Sequence, residues 1–398
     1  MSFWSRLERR LTDFAGEILP DEFREQLGEA RRMLDAGEAR AAAEVLEALL
    51  MVRPAHAVAL SLLGVARLEV GQLDEATEAF GLALSADPGM AEAHLGHGEV
   101  CAARGRDDAA IAAFRAAIGL ASGDRAVLHH AYRGLGLAYR RAGDIDKAIR
   151  ELRKAVAEEP GDGIALGALG EALLADDDVS DEEAARYLGR AAGAEDSWPT
   201  TWIGLGEVAL RAGDLDAARG HFERAAGDAA AQPLAHSAPL RAAKLRALMG
   251  LGDASLAAGS PEEANRYFLQ ALELEPRNAA VHARLGDVHR RVGNPPAALA
   301  AYDRALDLHA DPEVLDRALA TAIEARALEA SVRLANQALA RDPEDPRALV
   351  ARGIALAADG NAEAARATFR AVLGQHDDPD AQVALGQLEL DANPAREA

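Results

Sequence analysis

Residues 57–88 read AVALSLLGVARLEVGQLDEATEAFGLALSADP, and this stretch predicts two short helices that pack against each other. Apolar residues and a glycine recur in its first half at helical spacing: Leu60, Leu63, Gly64 and Leu68. Gly71 ends this first helix. The second helix is predicted from about residue 74 to 85, before Pro88. Its inner face is expected to hold Ala76, Phe80, Ala83 and Leu84.

The same pattern recurs along the chain. A glycine, usually preceded by leucine, stands at nine matching positions, which we call the signature glycines: Gly64, Gly98, Gly136, Gly170, Gly206, Gly252, Gly286, Gly353 and Gly386. Most steps between them are similar in length, but the step to Gly252 is longer and the step to Gly353 is close to two periods. Glycine inside a helix costs about 1 kcal/mol relative to alanine. Its recurrence at one position therefore predicts that two helix backbones approach closely there.

This pattern resembles the tetratricopeptide repeat (TPR) family. Three of the clearest matches are carried by the sets Leu63-Gly64, Gly71, Ala76, Phe80, Ala83 and Pro88; Tyr132, Leu135-Gly136, Tyr139, Gly143, Ala148, Ala155 and Pro160; and Trp202, Leu205-Gly206, Gly213, Ala218, Phe222 and Ala225. The resemblance covers residues 23–391. It implies an all-α fold, a right-handed superhelical solenoid of about ten helix-turn-helix repeats with an N-terminal amphipathic helix and a C-terminal capping helix.

Three parts of the array depart from the family pattern. The first repeat lacks the signature glycine. A degenerate repeat is expected near 312–343, with Ala320 and Arg326 where glycines stand elsewhere. Helix 380–391 is expected to be a final, unpaired cap.

The departures from the period also suggest a domain organisation. Residues 1–20 are assigned to an N-terminal amphipathic helix, 21–226 to a first TPR segment, 227–240 to an insertion, 241–391 to a second TPR segment with its cap, and 392–398 to a tail. The insertion holds two prolines and many small residues, which is typical of a loop or a helix extension. It is either a tolerated surface insertion or a hinge between the two segments.

Apolar residues at three- and four-residue spacing mark the segment 2–19 as an amphipathic helix. They define an N-terminal docking face formed by Phe3, Trp4, Leu7, Leu11 and Phe14. Three roles remain open: capping the first repeat, docking to a partner or to a second copy, and reversible attachment to a membrane. Glu8, Asp13 and Glu17 weaken the last, because anionic lipid repels them.

Composition excludes several functions. The chain has 43 Lys and Arg residues and 65 Asp and Glu residues, so its formal net charge is −22. A charge this negative argues against nucleic-acid binding. The longest stretch without a charged residue runs only from Pro54 to Ala66, too short to span a membrane. A single cysteine, Cys101, favours a reducing compartment, and we expect a cytoplasmic protein. The bias toward Ala, Gly, Arg and Leu is typical of a GC-rich bacterial genome.

No motif for catalysis or for a cofactor is evident. Phosphate-binding loops, the G-x-S-x-G nucleophile motif and the H-E-x-x-H zinc motif are all missing from the sequence. His94, His97 and Cys101 share one helical face, as zinc ligands could, although they occupy packing positions of the repeat. We therefore expect no enzyme, no cofactor and no metal site.

In the TPR family the first helices line a concave groove that holds a peptide, and the residue after the signature glycine faces it. Five of the nine residues at that position are acidic in this chain, and we expect the side chains of Glu171, Glu207 and Asp253 to be solvated. The candidate partner-binding residues are Glu99, Arg133, Arg140, Glu171, Ile203, Glu207, Met249, Asp253 and Asp287. A partner segment with Lys or Arg beside apolar residues would suit this groove.

Two functions follow from these observations. The first is a non-enzymatic scaffold or adaptor that binds one or more proteins or peptides in its groove. The second is a membrane-associated assembly factor of a bacterial secretion, pilus, motility or polysaccharide apparatus, attached through helix 2–19. Chaperone-tail binding of the carboxylate-clamp kind is disfavoured, because the matching positions hold acidic or apolar residues.

Overall fold

A computed structural model describes residues 21–176, 178–194, 198–231, 238–309 and 312–391. Every regular element in these ranges is an α-helix, as expected, and no strand occurs in them. The chain divides into two compact units: unit 1 ends at Val208 and unit 2 begins at Ala209. This boundary differs from the segment boundary suggested by the insertion at 227–240.

The described residues of unit 1 contain ten complete helices. They are α1 (Asp21–Asp35), α2 (Ala39–Val52), α3 (Ala57–Glu69), α4 (Leu73–Ala86), α5 (Ala91–Ala103), α6 (Asp107–Leu120), α7 (Arg125–Arg141), α8 (Ile145–Glu158), α9 (Gly163–Leu174) and α10 (Asp181–Ala192). Helix α11 (Pro199–Arg211) contains the boundary between the units.

Unit 2 continues the same order of helices. They are α12 (Leu215–Ala231), α13 (Ala238–Ala257), α14 (Pro261–Leu274), α15 (Ala279–Arg291), α16 (Pro295–Asp307), α17 (Pro312–Glu324), α18 (Leu328–Arg341), α19 (Pro346–Ala358), α20 (Ala362–Gln375) and α21 (Pro379–Asp391). The predicted insertion is therefore partly helical, because α12 extends into it and α13 begins within it.

Along the described residues the odd-numbered helices are the first helices of the repeats and the even-numbered ones are the second helices, and no described helix follows α21. Within each unit, every complete helix packs against the next complete one along the chain. In unit 1 the first helices from α1 to α9 also contact one another in order, as α3 does with α5. These are the stacked helix pairs that the repeat pattern predicts.

A tight turn joins the two helices of most pairs. Its key residue has a positive φ, as in Gly71 (82°) and Gly105 (69°), a conformation that glycine adopts without steric cost. Arg326 takes this place in the degenerate repeat, with φ of 53°. Gly64 and Gly98 each lie seven residues before this turn residue. By the same spacing the degenerate repeat has Leu319, and not Ala320, at the position of the signature glycine.

An aromatic ring from the second helix packs between two first helices. A methyl group in place of the hydrogen of Gly98 would lie 2.7 Å from the Phe114 ring, and one on Gly134 would lie 2.5 Å from it. Gly64 and Gly96 enclose Phe80 in the same way, at 2.8 and 2.2 Å. The signature glycine thus makes room for the ring of its own repeat, and a second glycine, two residues before the next signature glycine, makes room on the other side.

The repeats without a signature glycine fill the same space between the helices with other residues. In the degenerate repeat Leu319 is 1% exposed, and the residue facing it at the ring position is Ala335, which is fully buried. In the first repeat Ala30 replaces the glycine and Leu46 replaces the ring, and both are fully buried. In the degenerate repeat the larger residue has moved from one helix to the other, so the volume between the helices is roughly conserved.

Candidate partner-binding groove

The candidate site lies on one side of the first helices. We call the residue after each signature glycine the central position. The groove face consists of each central position together with the residues four positions before and three positions after that central position. Helical spacing brings these three positions onto one side of the helix. All nine predicted partner-binding residues belong to this face. Each unit carries its own part of this face.

In unit 1 the acid at the central position of α9 is already paired. Glu171 forms an ion pair with Arg140 of α7, and its side chain is only 7% exposed. The expectation that this acid is solvated is therefore wrong. An arginine from the preceding first helix reaches across the stack and neutralises the carboxylate, which makes the burial of the charge tolerable.

Arg133, one turn before the centre of α7, also pairs with the following repeat. Its Nη1 lies 2.8 Å from Oδ2 of Asp162, and the same oxygen lies 2.7 Å from Nε2 of His129. The other oxygen of Asp162 accepts the backbone N–H of Ala165 at 2.9 Å and caps α9. Burial alone would raise the pKa of Asp162. The hydrogen bond from His129 and the charge of Arg133 outweigh burial and hold the pKa of Asp162 well below its usual range.

Glu99, at the central position of α5, differs from its counterparts. Within the described ranges no residue forms a hydrogen bond or an ion pair with it. Burial raises the pKa of Glu99 to about 7; the charge of Arg133 acts against burial, and the charge of Glu69 adds to it. Glu99 is therefore a carboxyl group on the groove face with no cation bound to it.

Two other carboxyl groups of this part of unit 1, those of Glu92 and Glu69, also have a raised pKa. Burial raises the pKa of Glu92, which lies two turns earlier on α5, and Asp124 and Asp87 add to this effect. Burial and Asp35 raise the pKa of Glu69. For both groups burial is the largest cause of the raised pKa, and neighbouring acids add to it.

In unit 2 the acids of the groove face are paired. Asp253 lies 3.0 Å from Nε of Arg284 on the following first helix. Asp287 accepts a hydrogen bond from the hydroxyl of Tyr302 at 2.7 Å and forms an ion pair with Arg317. Burial and this hydrogen bond raise the pKa of Tyr302 to about 12. Here too, an arginine of the neighbouring repeat holds each acid, including Asp253, which is expected from the sequence to be solvated.

The remaining predicted residues are less available or lie elsewhere. Ile203 is 1% exposed and belongs to the packed interior, while Glu207 and Met249 are partly buried. The N-terminal docking face lies outside the described residues. The sequence pattern does not single out Arg284 and Arg317, which lie on the first helices about one repeat away from the acids that they neutralise.

No cluster of three or more His, Cys, Asp or Glu side chains with metal-binding geometry occurs in the described ranges. His97 Nε2 and Cys101 Sγ are 3.8 Å apart, and His94 instead contacts the carbonyl oxygen of Pro88 at 3.1 Å. None of the described helices is long and apolar enough to cross a bilayer.

Stacked pairs of short helices with this glycine and aromatic pattern define a helical repeat protein. Models of the tetratricopeptide repeat match residues 27–89, 62–125, 129–172, 182–235, 241–313 and 321–382. The chain belongs to the tetratricopeptide repeat family. Proteins of this family bind other proteins, and the chain is accordingly a protein-interaction scaffold. No curated protein shows a significant similarity to it.

Several solved structures have a similar arrangement of helices. PilF of Pseudomonas aeruginosa is 19% identical, with 56% of this chain and 96% of that chain covered and a TM-score of 0.45. The APC/C hetero-tetramer Cut9–Hcn1 is 13% identical (95% and 98% covered, TM-score 0.45), and yeast Tom70 is 12% identical (94% and 97% covered, TM-score 0.42). Because these TM-scores are below 0.5, the likenesses say nothing about what this chain binds.

Proposed function

We propose that the groove face of unit 1 binds a segment of a partner protein that carries Lys or Arg beside apolar side chains. Glu99 is the residue that receives the basic side chain. The observation that carries this proposal is the missing cation at Glu99, since Glu171, Asp253 and Asp287 at the same position of other repeats are all ion-paired. A cation brought by a partner would fill the place that an arginine fills elsewhere.

Apolar contacts for the partner are present beside Glu99. Ala102, one turn after it, and Leu137, at the central position of α7, are partly buried and pack against the core of unit 1. Leu95, one turn before Glu99, is fully buried and belongs to the core beneath this surface. A partner segment is thus offered a carboxylate between small apolar contacts, which supports a preference for a basic residue flanked by apolar ones.

Selection from a random peptide library tests this preference even though the partner is unidentified. The full-length chain is expected to enrich peptides with Lys or Arg beside Leu, Ile, Val or Phe. Glu99→Lys is expected to weaken binding of the selected peptides by about tenfold to a hundredfold, the usual effect of losing a charge-assisted hydrogen bond. Affinities are measured by fluorescence anisotropy.

Glu44→Lys is the matched control, because it makes the same charge reversal on the exposed side of a second helix, α2. It is expected to leave the affinity of the selected peptides unchanged. If both variants weakened binding equally, the effect would come from the net charge of −22 and not from the groove. If neither did, Glu99 would have no part in binding.

The membrane-associated assembly factor remains the second candidate function, and it depends on helix 2–19 alone. No observation on the described residues favours it. Flotation of the full-length protein with anionic vesicles, compared with a chain lacking residues 1–20, distinguishes it from the scaffold function. Equal and weak flotation of both chains would contradict membrane attachment through this helix.

A further inference from the structure

A second surface of unit 1 lies between consecutive second helices, away from the groove face. We call it the outer groove: it is bordered by α2 and α4, α3 forms its base, and its volume is about 600 Å³. Met51 of α2 and Leu82 of α4 line it and are 85% and 49% exposed. Val52, next to Met51, is 75% exposed. A monomeric surface seldom leaves neighbouring large apolar side chains in water without a reason.

The outer groove is particular to the start of the array. The positions that match Met51 in the next three repeats hold Ser85, Gly119 and Ala157, which are polar or small. The apolar surface at Met51 is therefore not a property of the repeat itself. An occupant of the outer groove would account for this exposed apolar surface.

We infer that the outer groove holds the amphipathic segment 2–19 of the same chain. The segment immediately precedes α1, and α1 begins beside the groove. Phe23 of α1 contacts the His56 ring, with ring centroids 5.0 Å apart, and the Arg53 guanidinium, which lies 5.8 Å from the centroid of the Phe23 ring. Arg53 and His56 flank Pro54, which lines one end of the outer groove.

Length and charge agree with this occupant. A helix of 18 residues is about 27 Å long, enough to follow α2 and α4, which at 14 residues each are about 21 Å long. Glu75 and Glu78 line the groove, and neither forms an ion pair with a described residue. On a helical projection Arg10 lies beside the apolar face of the segment, where it would meet these acids, and Arg6 and Glu17 lie on the same side.

The alternative place for the segment is the free face of α1, where it would cap the array. In α5 the equivalent face packs on the preceding repeat through Ala93, Gly96 and Val100, all buried. In α1 the matching residues are Glu25, Gly28 and Arg32, and the two charged ones are exposed. An apolar helix on that face would bury charges, whereas in the outer groove it would cover Met51 and Leu82.

Amide hydrogen exchange of the full chain tests the inference. In the wild type the amides of 2–19 are expected to be protected, and Met51→Glu with Leu82→Glu is expected to speed their exchange by about tenfold or more, because an undocked helix of this length opens readily. Both residues are exposed, so the variant is expected to fold. Leu269→Glu, which alters a Leu that is 47% exposed on α14 of unit 2, is the control and is expected to leave exchange in 2–19 unchanged.

Oxidation of Met51 by peroxide gives a second measurement from the other side of the contact. Leu7→Ser with Leu11→Ser is expected to speed oxidation of Met51 severalfold, since it removes the apolar cover. Three results would overturn the inference. The first is equal exchange in 2–19 with and without the Met51 and Leu82 substitutions. The second is protection of 2–19 that disappears on dilution, which would assign the segment to a second copy. The third is protection that appears only with anionic vesicles.

Discussion

Phe114→Ala is expected to lower the free energy of unfolding of unit 1 by about 3–5 kcal/mol, the usual cost of emptying the place of a buried ring. The ring is 1% exposed and lies between Gly98 and Gly134, so neither neighbour has a side chain to fill the space. Gly98→Leu is also expected to be destabilising, by about 1–3 kcal/mol or more, because its side chain would overlap the ring. Urea titration followed by circular dichroism measures both effects.

The combination of these substitutions is more informative than either alone. Gly98→Leu with Phe114→Ala recreates the arrangement of Leu319 and Ala335 in the degenerate repeat. We expect the pair to cost at least about 1 kcal/mol less than the sum of the single effects, since contacting residues that exchange volume are not additive. Gly134→Ala is expected to recover further stability in that background, as Ala351 stands at the equivalent position after Ala335. Strict additivity would contradict the proposed packing.

Asp162→Ala is expected to destabilise unit 1 by about 3–5 kcal/mol, the range for removing one partner of a buried charge pair. The Asp162 side chain is 4% exposed and serves three donors, from His129, Arg133 and the N-terminus of α9. Its loss leaves the arginine without its carboxylate and the helix without its cap. The midpoint of urea unfolding at pH 7 is the measurement.

Asp162→Asn separates the charge from the cap, because the amide oxygen can still accept the N–H of Ala165. The pKa of Asp162 is held low in the folded chain, so its charge stabilises the fold above the ordinary Asp pKa of about 3.9 and this stabilisation is lost as the pH falls below it. The stability difference between wild type and Asp162→Asn is expected to be full at pH 7 and to shrink toward pH 3. A difference that stays constant with pH would contradict the assignment.

Much of the fold follows from the sequence because the repeat imposes one constraint many times. Gly64, Gly71 and Phe80 recur at fixed spacing, and each has a packing or backbone role that the structure shows directly. The sequence pattern misaligns the degenerate repeat by one residue, since Ala320 looks more like a glycine than Leu319 does. The sequence places Arg326 correctly at the turn, and its positive φ fixes the signature position seven residues earlier, at Leu319.

The groove face is harder to predict, because ion pairing joins repeats that are distant in sequence. Arg140 and Glu171 stand about one period apart, and Asp253 and Arg284 have the same separation. This spacing is a signal that the sequence does contain: an acid with an arginine about one period away is expected to be neutralised. Glu99 is an exception to this rule: Arg133 follows it by 34 residues but forms its ion pair with Asp162, and only the structure identifies Glu99 as the unpaired acid.

The outer groove cannot be predicted from the sequence for a different reason. Met51 reads as an ordinary apolar residue of a helical face, and only the structure reveals that it is 85% exposed. Comparison with Ser85 and Gly119 at matching positions marks it as unusual. Departures from a repeat are therefore worth comparing between repeats, because many of the shared positions report the packing of the array.

The pH dependence of peptide affinity tests the central claim most directly, that Glu99 receives a cation from the partner. The pKa of Glu99 is about 7 in the free chain, and a bound Lys or Arg would lower it, so binding favours the ionised carboxylate. Affinity for a selected basic peptide is expected to rise about tenfold between pH 6 and pH 8, and Glu99→Gln is expected to abolish this rise. An affinity that stays constant over that range in the wild type, or that rises equally in Glu99→Gln, would contradict the assignment of Glu99 to the partner.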